Sequence, residues 1–149
     1  MKPHELPTRA EDMFCYGIYV ASHVVNRAYT PHLARLGLTY PQYITLTLLW
    51  EKDGQKVSEL AEALRMETST VTPLLKRLET QGYVRRNPDD KDRRAVLINL
   101  TDHGRALQRD APDITACMVD GTTLSQSELK TLQQLLLGLT DGLMQSKLP

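Results

Sequence analysis

The chain has 149 residues, with 18 Lys and Arg against 18 Asp and Glu, 41% hydrophobic residues and two cysteines. That is enough for one packed domain with an extension and too little cysteine for a disulfide scaffold, and the neutral charge balance at first speaks against a nucleic-acid partner. No apolar run reaches membrane-spanning length and no signal-peptide pattern opens the chain, so a cytoplasmic protein with no membrane partner is expected. The charge is unevenly spread: residues 65–105 hold nine Lys/Arg against six Asp/Glu, residues 1–64 six against seven, and residues 106–149 three against five. A basic central segment reopens the nucleic-acid reading.

In chain order, Thr8-Arg9-Ala10-Glu11 has the form of a capping box and predicts a long helix from that point. Phe14, Gly17, Ile18, Ala21, Val24, Val25 and Ala28 give it a broad apolar face that needs a partner, and Pro31 predicts its end near Tyr29 or Thr30. Thr39-Tyr40-Pro41 starts a second helix, with proline tolerated in the first turn and Tyr43, Leu46, Leu49 and Trp50 facing a core. A short strand can follow Gln55. Val57, Leu60, Ala61 and Leu64 then form one helical stripe; Val71, Leu74, Leu75 and Leu78 form another after a break at Arg65, Met66 and Glu67. This is a helix-turn-helix pattern, with Thr68 read as the cap of its second helix and Gly82 as the left-handed residue past its end. The outward face of that helix carries Ser69, Thr70, Thr72, Lys76 and Arg77, with small hydroxyls near the N-terminus and long cations beyond. A helix entering the major groove needs this order, because its first residues meet base edges and the later ones reach phosphate.

Tyr83 to Arg86 and Ala95 to Leu100 read as strands of a hairpin whose turn, Asn87 to Asp92, is rich in turn formers. Arg85, Arg86, Lys91, Arg93 and Arg94 make it basic, and an arginine near such a tip suits the negative potential of a minor groove. A solvated surface hairpin is the plain alternative. Thr101 caps a following helix through Gly104 to Leu107, Pro112 kinks or restarts it before Cys117, and Gly121 to Thr123 read as a loop. Ser125-Gln126-Ser127-Glu128 is a further capping box, ahead of Leu129, Leu132, Leu136, Leu139 and Leu143 at helical spacing. The predicted architecture is mainly α with a small β wing, in one chain over residues 1–149. A winged helix-turn-helix core at 40–104 is flanked by helices at 8–36 and 105–146 that would form a dimerisation layer; a monomeric bundle is the alternative.

Asp92-Arg93-Arg94 followed by Ile98-Asn99-Leu100-Thr101-Asp102-His103-Gly104 resembles the signature of MarR-type winged-helix repressors. Further stretches resemble the organic hydroperoxide sensor (OhrR-like) branch of that family: Phe14 to Tyr19, Tyr29-Thr30-Pro31, Leu38 to Tyr43, Leu48 to Glu51 and Thr70 to Glu79. The resemblance implies a homodimeric repressor on a double-stranded, pseudo-palindromic operator, released when an organic hydroperoxide oxidises Cys15 during oxidative stress. It also implies that Tyr29 and Tyr40 donate hydrogen bonds to that sulfur. Cys117 would act as a resolving cysteine in an intersubunit disulfide, one helical turn before its usual place; otherwise a small thiol caps Cys15. Glu67-Thr68-Ser69 departs from the branch's usual Asp-Ser-Gly, which bears on the finer base contacts.

Taken on its own, a cysteine on an apolar helix is more often an inert core residue than a sensor. Cys15 lies in the second turn, where the helix dipole gives a thiolate little help, so other donors are needed. Tyr29 is fourteen residues on, roughly 21 Å along the same helix at ~1.5 Å per residue, and reaches a Cys15 only across a dimer. Tyr19, one turn away, is a third candidate. Two rival readings stand beside this one. A cysteine peroxidase would need a base or arginine beside Cys15, and no arginine or histidine lies one turn away, so no enzymatic activity is expected. A repressor of the same fold gated by a small aromatic ligand is the stronger rival. His4, His23, His32 and His103 lack metal-ligand spacing, and neither metal nor cofactor is assigned.

Overall fold

The structure, a computed structural model, describes residues 7–146. Helix α1 spans Phe14–Ala34 and α2 Tyr40–Glu51; a two-residue strand β1 (Gln55–Lys56) leads into α3 (Val57–Leu64) and α4 (Thr68–Thr80). Strands β2 (Val84–Pro88) and β3 (Val96–Leu100) follow, then α5 (Asp102–Ala106), α6 (Ala111–Gly121) and α7 (Gln126–Gln145). The three strands form one antiparallel sheet in the order β1-β3-β2, with Gln55 opposite Ile98 and Arg86 opposite the same residue on the other side. This is the mainly helical fold with a small wing that the patterning predicts, including the short strand at Gln55.

Two compact units divide after Ile114. The core lies in the first. Leu33, Leu46, Leu49, Leu60, Val71, Leu75, Leu78 and Ile98 are each 0% exposed, so one apolar cluster joins the end of α1, α2, both helices of the pair and the wing's inner face. Truncating a side chain this enclosed removes its transfer energy and leaves a cavity. Leu46→Ala should therefore cost ~2 to 5 kcal/mol in a denaturant titration, a large share of a typical domain's stability.

Local devices join these elements. Thr39 and Gln42 form a reciprocal capping box at the start of α2. Arg65 takes a left-handed φ of 52° and closes α3, turning the chain toward α4. Gly82, at φ 81°, does the same after α4. Thr101 caps α5 by accepting a hydrogen bond from Gly104 N at 3.0 Å. Gly104 is required by space: a Cβ there would sit 2.1 Å from the Tyr83 carbonyl oxygen, which is backbone and does not yield. The Gly104 carbonyl accepts the Trp50 indole N–H at 2.9 Å, tying α2 to the exit of the wing.

Three local expectations are corrected. The Thr8 to Glu11 segment forms only a 3-10 turn over Ala10–Asp12, and α1 starts after extended Met13; Glu11 pairs with Arg9 and does not serve as a cap. Helix α1 runs through Pro31 to Ala34, because burial of Leu33 holds its last turn against the core and outweighs the N–H that proline lacks. Thr68 is the first residue of α4, whose cap is Glu67 with no side-chain hydrogen bond. Pro112, by contrast, sits in the first turn of the restarted α6.

In the second unit, Ser125 and Glu128 cap α7 reciprocally. The Ser125 backbone N–H, donating at 2.7 Å, and its hydroxyl hold the Glu128 carboxyl below the usual glutamate range. This capping contribution is present above the ordinary glutamate pKa of 4.5 and is lost as pH falls through the lowered value. Leu132, Leu135, Leu136, Leu137, Leu143 and Met144 of α7 are all exposed, as are Phe14, Ile18, Val24 and Val25 of α1. Among the described residues no helix is long and apolar enough to cross a membrane.

Candidate nucleic-acid interface and thiol site

Helix α4 buries Val71, Leu75 and Leu78 and turns its other side outward. Ser69, Thr70, Lys76 and Arg77 are exposed there together with Thr68. Thr72 is half-buried, and its hydroxyl donates to the Thr68 carbonyl at 2.8 Å, which leaves its oxygen an acceptor for any further partner. Pro73 lacks the N–H that would bond the Ser69 carbonyl, leaving that oxygen without its helical partner beside the two exposed hydroxyls. The wing reaches out next to this helix. Asp92 Oδ1 accepts the Arg94 backbone N–H at 3.1 Å and lies 3.7 Å from its Nε, while the Arg94 side chain remains 95% exposed. The guanidinium is thus aimed from its base yet free along its length.

Side chains alternate along a strand, so the adjacent arginines of β2 go to opposite faces. Arg85 is exposed, whereas Arg86 lines a cleft of about 580 Å³ with Lys56, Ser58, Thr68, Thr72, Asp92 and Arg94. Arg86 Nε is shielded from solvent and has no hydrogen-bond partner among the described residues. Lys91 and Arg93 are exposed at the tip and lie outside this cleft. Asp89 was legible only as a turn residue. It is 8% exposed, accepts the Lys91 N–H at 2.9 Å and lies 4.0 Å from Lys56 Nζ, holding the tip of the wing against the start of α3. A buried carboxylate needs a partner across the fold, and no local motif signals that one exists.

The thiol region lies on α1. Cys15 is the second residue of α1, in its first turn and not in the second as expected from a start at Thr8. It is exposed one turn before Tyr19, which is 65% exposed and packs edge-on against His23 with centroids 4.6 Å apart. Tyr29 lies at the far end of the same continuous helix, too far along it to touch its own Cys15. Tyr29 stacks on Tyr40 of α2 at 4.3 Å and 17°. The two sequence-predicted tyrosines therefore come together, with Tyr43 5.8 Å from Tyr29. Neither the Tyr29 nor the Tyr40 hydroxyl has a hydrogen-bond partner among the described residues. Burial raises both phenols above the ordinary value of 10.0, with a further push from the neighbouring tyrosines, so both remain protonated donors at any physiological pH. An alkaline absorbance titration should show them ionising later than free tyrosine. Stability from the neutral stack is complete below pH 10.0 and falls as pH rises through the raised values. Cys117 is exposed on α6, in the second compact unit. The described residues contain no cluster of three or more metal-ligating side chains, and His4 lies outside them.

A helix pair followed by a basic antiparallel wing defines a winged helix-turn-helix protein. The MarR family profile matches residues 38–96, and the chain is 37% identical over 137 residues to the organic hydroperoxide resistance transcriptional regulator of Bacillus subtilis, covering 92% of this chain and 93% of that one. The chain belongs to the MarR family of winged-helix transcriptional regulators. The crystal structure of AbfR of Staphylococcus epidermidis is similar with a TM-score of 0.78 at 30% identity, covering 89% of this chain and 92% of that one. Reduced AbfR bound to DNA matches at a TM-score of 0.72 and 32% identity over 87% of this chain and 90% of that one. Disulfide-formed AbfR matches less closely, at 0.61 and 30% identity over 88% and 87%.

Proposed function

We propose that this protein is a redox-responsive transcriptional repressor that binds a pseudo-palindromic operator as a homodimer and leaves it when an organic hydroperoxide oxidises Cys15. The observation that carries the reading is the Tyr29–Tyr40 stack, whose two hydroxyls have no partner within the described chain and lie a helix length from their own Cys15. A second copy would bring its Cys15 to them and make the sensor composite. Exposed apolar faces on α1 and α7 support such a dimer, because each is costly in water and suited to burial against another chain. Likeness to a hydroperoxide resistance regulator, and to AbfR in reduced and disulfide forms, supports the redox gate.

In the sensing step the Cys15 thiolate attacks the terminal oxygen of the hydroperoxide. The S–O bond forms as the O–O bond breaks, the peroxide leaves as an alcohol after taking up a proton, and the sulfur becomes a sulfenic acid. A second thiol then displaces water to give a disulfide. That thiol is Cys117 of the other subunit or a small cellular thiol. Either product replaces a sulfur held by two phenols with added bulk or a covalent tie. Tyr29→Phe or Tyr40→Phe should slow sulfenic acid formation roughly tenfold, the equivalent of ~1.5 kcal/mol for one hydrogen bond to a charged acceptor. Unchanged rates in both variants would remove the tyrosines from the sensor.

On DNA, α4 enters a major groove through Ser69, Thr70 and Thr72, while Lys76, Arg77, Arg85, Arg86, Lys91 and Arg93 supply cations and Arg94, set by Asp92, enters the minor groove. Arg94→Ala should weaken operator binding by ~1 to 3 kcal/mol in a fluorescence anisotropy titration. Lys76→Ala should weaken binding to all duplexes alike and make the salt dependence shallower by about one counterion. Wild-type affinity and salt slope in the Arg94 variant would exclude the wing from the interface.

A further inference from the structure

The chain between α1 and α2 is held by residues that follow the recognition helix. Backbone carbonyls in the turn after a helix need partners from outside it. Here the Leu36 carbonyl accepts the Tyr83 hydroxyl at 2.7 Å and the Gly37 carbonyl accepts Gln81 Nε2 at 2.6 Å. Gln81 Oε1 in turn accepts Gln42 Nε2 at 3.2 Å, and Gln42 Oε1 accepts the Thr39 N–H at 3.0 Å. The two amides have one consistent orientation. Gly37 offers only a carbonyl and Thr39 only an N–H, so each glutamine donates on one side and accepts on the other. Gln42 is 4% exposed and Tyr83 6%, which shields both from competing water. Tyr83 also stacks on His103 at 4.8 Å and 11°.

This corner joins the two tyrosine-bearing segments: Tyr29 lies on the last turns of α1, Tyr40 begins α2, and their rings stack. Gln81 caps the end of α4 and Tyr83 immediately precedes β2. We infer that Gln42, Gln81 and Tyr83 form a hydrogen-bonded clamp that couples the position of the Tyr29–Tyr40 pair to that of the recognition helix. They act as positioning residues, without touching DNA or the thiol. A displacement at the tyrosines must then either move the end of α4 or break three bonds to the corner, and the cooperative amide chain favours movement as a unit. The inference deepens the proposed function, for which it supplies the route from sensor to reading helix.

The test uses the full-length chain and a duplex selected from a randomised pool by the reduced wild-type protein. Tyr83→Phe keeps the ring on His103 and Gln81→Met keeps a side chain of similar length, so the double variant removes the hydrogen bonds with little change in packing. Circular dichroism and melting verify its fold. Fluorotyrosine at positions 29 and 40 reports the pair by 19F NMR. In the wild type, adding duplex should shift both resonances, since coupling is reciprocal. In the double variant the duplex should still bind within about threefold of wild type, with the 19F shifts abolished. Cumene hydroperoxide should oxidise Cys15 at an unchanged rate in the variant while releasing the duplex at least tenfold less effectively. Wild-type 19F shifts in the variant, or none in the wild type, would overturn the clamp. If shifts are lost in the variant but peroxide leaves the wild type on DNA, the redox gate fails and the clamp stands. Restoring Gln81 alone should recover part of both responses.

Discussion

Cys15→Ser is expected to bind the operator as the reduced wild type does and to remain bound when an organic hydroperoxide is added. Serine keeps nearly the same volume at an exposed position on α1, so neither the core nor the recognition face changes. Its hydroxyl does not reduce a peroxide, so no sulfenic acid forms and neither Cys117 nor a small thiol can join it. The effect is a loss of the response itself, visible as anisotropy that no longer falls on oxidation. Should the variant release DNA as readily as the wild type, gating by a small aromatic ligand becomes the better account.

The second large effect concerns assembly. Leu132 and Leu136 lie one turn apart on α7, are 44% and 36% exposed, and stand outside the buried core cluster. Leu132→Asp with Leu136→Asp should leave the core centred on Leu46 and Leu78 intact and give a monomer in analytical ultracentrifugation. A monomer engages one half-site, so affinity for the full palindrome should fall by roughly 10²-fold or more, the usual advantage of a second tethered contact. A dimeric double variant with normal DNA binding would exclude α7 from the interface.

Much of this fold was legible because its devices are local. The helix start at Thr39-Tyr40-Pro41 and the Ser125 capping box need only three or four residues each, and the stripes on α3 and α4 repeat within one helix. Where a distant contact decides the outcome, local signals mislead. Pro31 fails to end α1 because Leu33 is buried against the core beyond it, whereas at Thr8 the competitor is itself local, Glu11 pairing with Arg9 two residues away. The same holds for the site. The exposed hydroxyls and cations of α4 follow from helical periodicity, and Arg94 from its place after Asp92 in the turn. The shielding of Arg86 Nε, the anchoring of Asp89 to Lys56 and the hold of Gln81 and Tyr83 on the α1–α2 corner depend on residues far apart in sequence. No spacing rule announces them. The Tyr29–Tyr40 stack is intermediate: the residues were identifiable by resemblance, and only the fold brings their rings together.

The central claim is that modification of Cys15 and release of DNA are one event. Its most direct test is to add an organic hydroperoxide in sub-stoichiometric steps to the reduced protein on a fluorescent operator duplex, reading anisotropy and the intact mass of each sample together. The account predicts that the fraction of duplex released follows the fraction of chains carrying an oxidised or disulfide-linked Cys15, step for step. Full modification of Cys15 with the complex still intact, or release while Cys15 remains a thiol, would contradict it.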